Sequence, residues 1–527
     1  MRTSGILMPI FSLPSPHGIG TFGREAYNFV DFLAKAGQTY WQILPLNPTN
    51  YGDSPYQSFS SFAGNPYFID LDMLLEEGLL TVAEIIEADF GEDPLSVDYG
   101  KLYNNRIPLL KRAFARFEPD KAYKKFCRQN KFWLDEYVLF MALKNAHNDI
   151  AWENWEDELR LRKAKAIKAA KEEYAEVMDF YRFVQFKFDQ QWQALKSYAN
   201  ENGIYIVGDI PIYVAYDSAD TWANPKQFLL DRDLKPIKVA GCPPDAFSED
   251  GQLWGNPLYR WDVMKEDGYT WWKKRLGHAM KLYDKVRIDH FRGFEAYYTI
   301  PYGDKTAKNG SWMTGPNLDL FDAMKEEFGE DLPIIAEDLG FLTEEVYEML
   351  RKSGFPGMKV MQFAFDGKPT NEYLPHNHVK NCVVYTGTHD NDTIMGWLES
   401  SKEKTVKQAK QYMHATDAEG FNWTMIRTAL MSVADTVIIM MHDLIGLGSE
   451  ARINMPSTVG GNWQWRIDKV CINDWLAKLM LDTTAPYGRA VIRKGYEPED
   501  DDEDREEEEE ETEENIETLD KKEMTKL

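Results

Sequence analysis

The sequence is poor in cysteine and in positive charge, and each shortage excludes a class of protein. Only four of its 527 residues are cysteines, and Cys127, Cys242, Cys382 and Cys471 form no Cys-x-x-Cys pair. We therefore expect neither a zinc site nor a secreted disulfide framework. With 60 basic and 86 acidic residues, the net charge is −26. A chain this acidic is not expected to have nucleic acid or a membrane surface as its partner.

Long apolar runs are also absent. No window approaches the roughly 18 apolar residues of a transmembrane helix, and Val437–Met441 is typical of the short runs present. At the N-terminus, Pro9 and Pro14 interrupt the apolar stretch that follows the single base Arg2. We therefore expect no signal peptide and predict a cytoplasmic protein.

The chain does contain enough apolar material for a large core, with 43% hydrophobic and 13% aromatic residues.

The last segment of the chain differs from the rest in composition. Residues 497–527 hold 18 acids and 4 bases, and Glu506–Glu511 is an unbroken acidic run. Such a block repels itself and stays solvated, which predicts a disordered extension that aids solubility. An interaction tail is the alternative.

Residues 1–496 alternate short apolar runs with helical patterns, which predicts an α/β fold. Several runs are apolar on consecutive positions, as in parallel strands that are covered on both faces. Eight such strands suggest a (β/α)8 TIM barrel as the catalytic domain, although the pattern alone leaves a doubly wound sheet open. The predicted strands are Gly5–Met8, Tyr40–Leu44, Ile204–Asp209, Lys285–Asp289, Leu332–Ala336, Lys359–Phe363, Cys382–Tyr385 and Thr436–Ile439.

The gap between the second and third strands is too long for a barrel connection. Within it, Ala151–Asn200 is strongly helical in pattern and rich in charged and aromatic residues. We therefore predict a large, mostly helical insertion over residues 70–200, on the rim of the barrel.

A glycine motif near the N-terminus resembles a dinucleotide-binding signature. Gly18, Gly20 and Gly23 match Gly-x-Gly-x-x-Gly. That fold needs the glycines directly after a strand and an acid about 20 residues later. Here Phe11–His17 intervenes after the strand, and the next strand, Trp41–Pro45, contains no acid. We interpret the motif as a glycine-rich loop that leads into a helix.

Acidic residues stand at the carboxyl ends of three predicted strands. Asp289 ends a strand that also carries Arg287 on the same face. A nearby guanidinium holds a carboxylate ionised, as a nucleophile requires. A buried Arg–Asp pair that only closes the barrel is an equally good interpretation of this stretch alone.

The other two strands end in Glu337 and in the pair His389 and Asp390. An acid at the end of an apolar strand lies where desolvation raises its pKa towards that of a general acid. A His–Asp pair is suited to binding adjacent hydroxyls, but it is equally half of a metal site or part of a hydrolase triad. The sequence offers no nucleophile-elbow serine and no His-Glu-x-x-His motif for these readings.

Together the three acids suit cleavage of a glycosidic bond. That reaction needs a carboxylate on one face of the sugar, a protonated carboxyl on the leaving oxygen, and stabilisation of an oxocarbenium-like transition state. Asp289, Glu337 and Asp390 would supply these three functions from one end of the barrel.

With these three acids in place, the sequence closely resembles the 4-α-glucanotransferases, or amylomaltases, of glycoside hydrolase family 77. These are relatives of the α-amylase barrel enzymes. The resemblance extends from Gly5 to about Arg493. The motifs that carry it are Ser12–Pro16, Gly18–Gly20, Tyr51–Ser58, Gly208–Val214, Arg287–Gly293, Ala336–Gly340, Thr388–Thr393, Arg452–Pro456 and Gly461–Arg466.

The resemblance implies a role for each acid and a set of sugar contacts. Asp289 would be the nucleophile, Glu337 the acid/base and Asp390 the transition-state stabiliser. The residues implied to bind substrate are Tyr51, Asp53, Tyr56, Ser58, Asp209, Phe247, Gln252, Trp254, Arg287, His290, His389 and Asn462. A carboxyl separation of about 5–5.5 Å between the nucleophile and the acid/base is expected for retention of configuration.

The polar segment Pro243–Pro257 is predicted to be a long loop after the third strand. The resemblance makes it a lid, in which Phe247 and Trp254 cover a sugar face and exclude water so that an acceptor hydroxyl reacts. A structural excursion that packs its aromatics on the barrel is the alternative.

The expected substrates are α-1,4-glucans and maltooligosaccharides, with glucose or maltose as acceptor, and no metal or organic cofactor is expected. His376 and His378 resemble ligands, but we predict them to be surface histidines. An α-amylase-type hydrolase and a catalytically silent glucan-binding protein remain as alternatives, and the products formed from maltotriose discriminate among the three.

Overall fold

A computed structural model describes residues 2–50, 52–244, 248–340 and 342–493. The predicted contacts Tyr51 and Phe247 and the acidic tail lie outside these ranges.

The strands in chain order are β1 Thr3–Leu7, β2 Tyr40–Gln42, β3 Tyr205–Pro211, β4 Lys238–Cys242, β5 Gln252–Pro257, β6 Lys285–Asp289, β7 Ala296–Pro301, β8 Ser311–Thr314, β9 Ile334–Ala336, β10 Gly357–Val360, β11 Cys382–Tyr385 and β12 Thr436–Met440.

Eight of these strands form the predicted TIM barrel. Their order is β10-β11-β12-β1-β2-β3-β6-β9, and each neighbouring pair is parallel. The ring closes where the backbone N–H of Ala336 donates a 2.9 Å hydrogen bond to the carbonyl of Pro356, beside β10. The eight predicted strands correspond to these eight, with bounds that differ by up to three residues. The sixth strand ends at Val360, and Met361–Phe363 is a 3-10 turn rather than the end of the strand.

Helices cover the barrel. In chain order they are α1 Arg24–Lys35, α2 Leu71–Glu76, α3 Val82–Ile86, α4 Tyr99–Arg116, α5 Lys121–Gln129, α6 Lys131–Ala146, α7 Asp157–Arg160, α8 Ala164–Glu173, α9 Ala175–Glu201, α10 Ala219–Ala223, α11 Trp261–Glu266, α12 Thr270–Leu282, α13 Leu318–Phe328, α14 Glu344–Ser353, α15 Ile394–Ser400, α16 Glu403–Met413, α17 Phe421–Met431, α18 Met441–Leu444 and α19 Asp474–Thr484. None of these helices is both long and apolar enough to cross a membrane.

The helices α2 to α9 all lie between β2 and β3, where the sequence predicts a helical insertion. The last of them, α9, packs against α1 and β3, so it also covers the barrel wall. Its buried face is lined with aromatic rings, including Phe183, Phe186 and Trp192. The insertion is therefore built onto a helix of the barrel rather than attached as a separate body.

A second sheet was not predicted. Strands β5, β4, β7 and β8 form an antiparallel sheet in that order, and β5 occupies the second half of Pro243–Pro257. The prediction of a loop throughout that segment is wrong for Gln252–Pro257. The segment is polar and glycine-rich, so its strand is stabilised by pairing with β4 rather than by its own apolar pattern.

The glycine motif near the N-terminus serves close packing. A Cβ on Gly20 would lie 1.8 Å from the carbonyl oxygen of Ile10, and one on Gly23 would lie 2.0 Å from the Asp70 carboxylate. Only glycine fits such approaches. The motif is thus explained by the loop and helix start that the sequence predicts.

Candidate active site

Polar side chains gather at the carboxyl ends of the barrel strands, where catalytic groups of this fold lie. The strands are mostly apolar, which suits burial on both faces, and the polar residues lie towards their carboxyl ends or directly after them. The side chains concerned are Asp209 of β3, Arg287 and Asp289 of β6, Glu337 directly after β9, and His389 and Asp390 shortly after β11.

Arg287 joins two carboxylates. Its Nη1 donates to Asp209 Oδ2 at 2.6 Å and its Nη2 donates to Asp289 Oδ1 at 2.9 Å. Asp209 is completely buried, whereas the Asp289 side chain is 31% exposed. The guanidinium therefore connects a buried acid to an acid that a substrate can reach. Such bridging needs the planar fork of arginine.

Glu337 is fixed by backbone donors. Its Oε2 accepts a 2.6 Å hydrogen bond from the N–H of His290, and its Oε1 accepts one of 2.7 Å from the N–H of Leu339. Burial, followed by the negative charge of Asp289, raises the pKa of Glu337 to about 8. A carboxyl with that pKa is protonated at neutral pH and is able to donate a proton.

The third carboxylate, Asp390, has its own set of polar and aromatic neighbours. Asp390 Oδ1 accepts a 2.6 Å hydrogen bond from Asn454 Nδ2 and lies 3.4 Å from His389 Nε2. The His389 ring stacks on Tyr56 at a centroid distance of 4.9 Å. The Tyr56 hydroxyl donates to Asp209 Oδ2 at 2.8 Å, which connects this cluster to Arg287.

The rings of His290 and Trp254 pack together next to Asp289, and we call this pair the His290–Trp254 wall. Their rings meet edge to face at a centroid distance of 4.8 Å. Burial lowers the pKa of His290 to about 4, so its imidazole is neutral at pH 7. Trp254 Nε1 donates to Gln252 Oε1 at 3.0 Å, so β5 presents both predicted contacts side by side.

Three further residues predicted to contact sugar have surroundings of a different kind. Ser58 donates to the carbonyl of Ser60, and Asn462 donates to Thr458 Oγ1 on an exposed loop. Asp53 lines a cavity of about 830 Å³ that also contains Tyr99 but none of the three carboxylates. None of these contacts joins the three residues to Asp289 or Glu337.

Of the two histidines predicted to lie on the surface, one was predicted wrongly. His376 is exposed as expected, but His378 is buried, with Ser432 Oγ 2.7 Å from Nδ1 and the Tyr373 carbonyl 2.9 Å from Nε2. These contacts explain its burial, because both ring nitrogens have partners. Within the described ranges, no cluster of three acids, histidines or cysteines is arranged to hold a metal ion.

Sequence reasoning missed two supporting residues. Asn454 contacts Asp390, but the sequence predicted it only as a member of the motif Arg452–Pro456 and assigned it no role. Asp443 follows β12 and accepts hydrogen bonds from the Thr386 hydroxyl at 2.7 Å and from the N–H of Ile394 at 2.8 Å. It thereby anchors both ends of the segment that carries His389 and Asp390. An acid after an apolar strand, the signal that found Glu337, would have found Asp443 as well.

Comparisons with known proteins agree with this geometry. A family model described as 4-alpha-glucanotransferase matches residues 8–471. A 4-alpha-glucanotransferase of Clostridium butyricum is 53% identical over 486 residues, which cover 92% of this chain and 100% of that protein. One from Thermus thermophilus is 47% identical over 479 residues, covering 88% of this chain and 95% of that protein.

A solved structure agrees as well. That of an amylomaltase from Streptococcus agalactiae in complex with acarbose has a TM-score of 0.91 at 43% identity, and the match covers 93% of this chain and 100% of that one. A family model that spans most of the chain and relatives of this identity lead to one conclusion: the chain belongs to the 4-alpha-glucanotransferase family, glycoside hydrolase family 77.

Proposed function

We propose that the chain transfers a segment of an α-1,4-glucan to the 4-hydroxyl of an acceptor glucose or glucan, by a retaining double displacement at Asp289. The observation that carries this mechanism is the contrast between two neighbouring carboxyls. Glu337 is buried with a pKa raised to about 8, whereas Asp289 is partly exposed and bound to Arg287. One carboxyl is a proton donor and the other a nucleophile.

In the first displacement, a carboxylate oxygen of Asp289 attacks the anomeric carbon of the donor. Glu337 gives its proton to the departing glycosidic oxygen, and the reducing-end fragment leaves with that proton. A β-linked glucosyl–Asp289 ester remains. Asp390 stabilises the positive charge that develops on the sugar ring in the transition state.

In the second displacement, the acceptor 4-hydroxyl attacks the anomeric carbon from the vacated side. Glu337, now ionised, takes the hydroxyl proton, and the Asp289 ester bond breaks. Two inversions restore the α configuration. A separation of about 5–5.5 Å between the two carboxyl groups is the distance that this mechanism requires.

Transfer rather than hydrolysis requires that water be kept from the ester. We assign this role to the wall formed by Trp254 and His290, with Phe247 as a further sugar contact. We assign the donor sugar to the surface around Asp209, Arg287 and His389. Tyr51 and Tyr56 provide aromatic faces, and Asp53, Ser58, Gln252 and Asn462 are the remaining proposed contacts.

The substrates are α-1,4-glucans and maltooligosaccharides of the starch and glycogen type, in the cytoplasm, with glucose or maltose as acceptor. Binding of acarbose by the amylomaltase from Streptococcus agalactiae supports a glucan-like ligand. Residues 1–496, including the helical insertion over 70–200, form the catalytic unit of this proposal.

Maltotriose tests the reaction. Transfer yields glucose and longer oligomers while the number of reducing ends stays constant, whereas an α-amylase-type hydrolase raises that number and a silent binding protein releases no glucose. The covalent step is tested separately with Glu337→Gln and α-maltosyl fluoride, whose leaving group needs no acid. We expect a glycosyl adduct on the peptide that contains Asp289. An adduct on another residue would refute the assignment.

A further inference from the structure

Helix α5 presents a basic stripe that the proposed reaction does not use. Lys121, Lys124, Lys125 and Arg128 are exposed and follow the i, i+3, i+4, i+7 spacing of one helix face, and the exposed Lys131 continues the stripe into α6. The opposite face of α5 holds the apolar contacts, since Phe126 is buried against the α9 ring of Phe186 at a centroid distance of 5.7 Å.

The stripe concentrates five positive charges on one surface. Among the described residues, none of its five bases forms an ion pair, whereas Arg116 of the neighbouring helix α4 binds Glu84 at 2.7 Å. The chain as a whole has a net charge of −26. A concentrated positive face on such an acidic protein attracts an anion.

The strongest acidic segment belongs to the same chain. Residues 497–527 carry 18 acids against 4 bases, and Glu506–Glu511 consists of glutamate alone. The stripe and this run therefore carry opposite charges, five positive on the stripe and six negative on the run.

Arg493, the last described residue, lies close enough to α5 for the run to reach the stripe. Arg493 Nη2 donates a 2.9 Å hydrogen bond to the carbonyl of Gly203, just beyond the carboxyl end of α9. From that end back to Phe186, which contacts α5, the helix spans about 22 Å at ~1.5 Å per residue. From Lys494 to Glu506 the chain can extend ~40 Å at ~3.3 Å per residue.

We propose that the acidic run Glu506–Glu511 docks on the basic stripe of α5 within the same molecule. The contact is electrostatic and lies on the helical insertion, so it covers a surface of the protein and leaves the proposed catalytic groups free. Because both partners are highly charged, salt weakens the contact.

Zero-length carbodiimide cross-linking of the full-length protein tests this proposal. Equal amounts of ¹⁴N- and ¹⁵N-labelled protein are mixed at low salt, and cross-linked peptides are identified by mass spectrometry. We expect same-isotope links from the acidic run to Lys121, Lys124 or Lys125, about tenfold more frequent than links to Lys165 and Lys171, exposed lysines of α8 that serve as controls. At about 0.5 M NaCl the links should fall at least about fivefold.

A matched variant replaces the six glutamates of the run by glutamine and leaves the folded domain unchanged. In this variant we expect amine-labelling of Lys121, Lys124 and Lys125 to become at least about threefold faster than in the original protein, with the rates of Lys165 and Lys171 unaltered. Equal labelling rates in the two proteins would refute the docking. Links that join ¹⁴N to ¹⁵N peptides, or that reach α8 as often as α5, would refute it too, because they indicate a second copy or unspecific attraction.

Discussion

The backbone N–H of His290 donates a 2.6 Å hydrogen bond to the carboxylate of Glu337. The residue that follows the proposed nucleophile thus positions the proposed acid/base. His290 adopts a left-handed conformation with φ of 55°, which turns the chain immediately after β6. At the end of the strand, Asp289 is thus placed for substrate, and the next backbone N–H donates to Glu337.

The raised pKa of Glu337 predicts how transfer depends on pH. The acid form donates the proton, so kcat/KM for maltotriose should fall as the pH rises through about 8, with a limiting slope of about one decade per pH unit. A pH profile from 5 to 10 measures it. A kcat/KM that stays constant up to pH 9.5 would contradict the assignment of Glu337 as the acid.

Replacing either catalytic carboxyl removes the activity. We expect Asp289→Asn and Glu337→Gln each to retain less than about 1% of maltotriose disproportionation, because loss of a covalent or acid catalyst costs at least ~10²-fold. Circular dichroism and gel filtration verify folding. A folded variant that exceeds this activity would disprove the role of the replaced residue.

Glu337→Gln should also change how stability depends on pH. A carboxyl whose pKa is raised in the folded state binds its proton more tightly there than in the unfolded chain, so the native protein loses stability as pH rises from about 4 to about 8. Glutamine cannot ionise. The Tm of the variant minus that of the native protein should therefore increase by ~2 °C or more between pH 5 and pH 9. An unchanged difference would show that burial does not raise this pKa.

Tyr56→Phe tests the link between the two halves of the site. It removes the donor to Asp209 Oδ2 but keeps the ring that stacks on His389. Since Asp209 Oδ1 has no hydrogen-bond partner among the described residues, Arg287 would then be the remaining donor to this buried carboxylate. We expect kcat/KM to fall about tenfold and the stability by ~1–3 kcal/mol.

The matched control is Tyr259→Phe. The Tyr259 hydroxyl is also buried and donates to the carbonyl of Ile212 at 2.8 Å, away from the carboxylates. This variant should lose similar stability in urea denaturation but keep its kcat/KM within about twofold. Equal losses of activity in both variants would mean that Tyr56 acts through stability alone.

Asn454→Ala tests the support of Asp390. Its side-chain N–H is a donor to Asp390 Oδ1 at 2.6 Å, so its loss frees the carboxylate to rotate. We expect kcat to fall about tenfold with a small change in Tm, because a misplaced stabiliser costs transition-state energy. Asn381→Ala, which loses a bond to the carbonyl of Gly354 on an exposed surface, should leave kcat unchanged. A native kcat for Asn454→Ala would contradict the role.

The barrel could be predicted from the sequence because its strands are locally distinctive. Cys382–Tyr385 and Lys285–Asp289 are found with the predicted bounds. Strand β5 was not found, because its residues, with a glycine and a proline among them, form no apolar or alternating run, and tertiary pairing with β4 stabilises it. His378 was misplaced for a similar reason. Its burial depends on Ser432 and Tyr373, and the sequence does not show that these residues lie together.

The sequence by itself determined the architecture and the chemical type of the site. Apolar runs that end in acids specify a barrel with carboxyls at one rim, because parallel strands bring their carboxyl ends together. Only the tertiary structure decided how these groups differ. Arg287 lies between two acids and two backbone N–H groups hold Glu337, and burial depends on everything packed around a residue rather than on its neighbours in the chain.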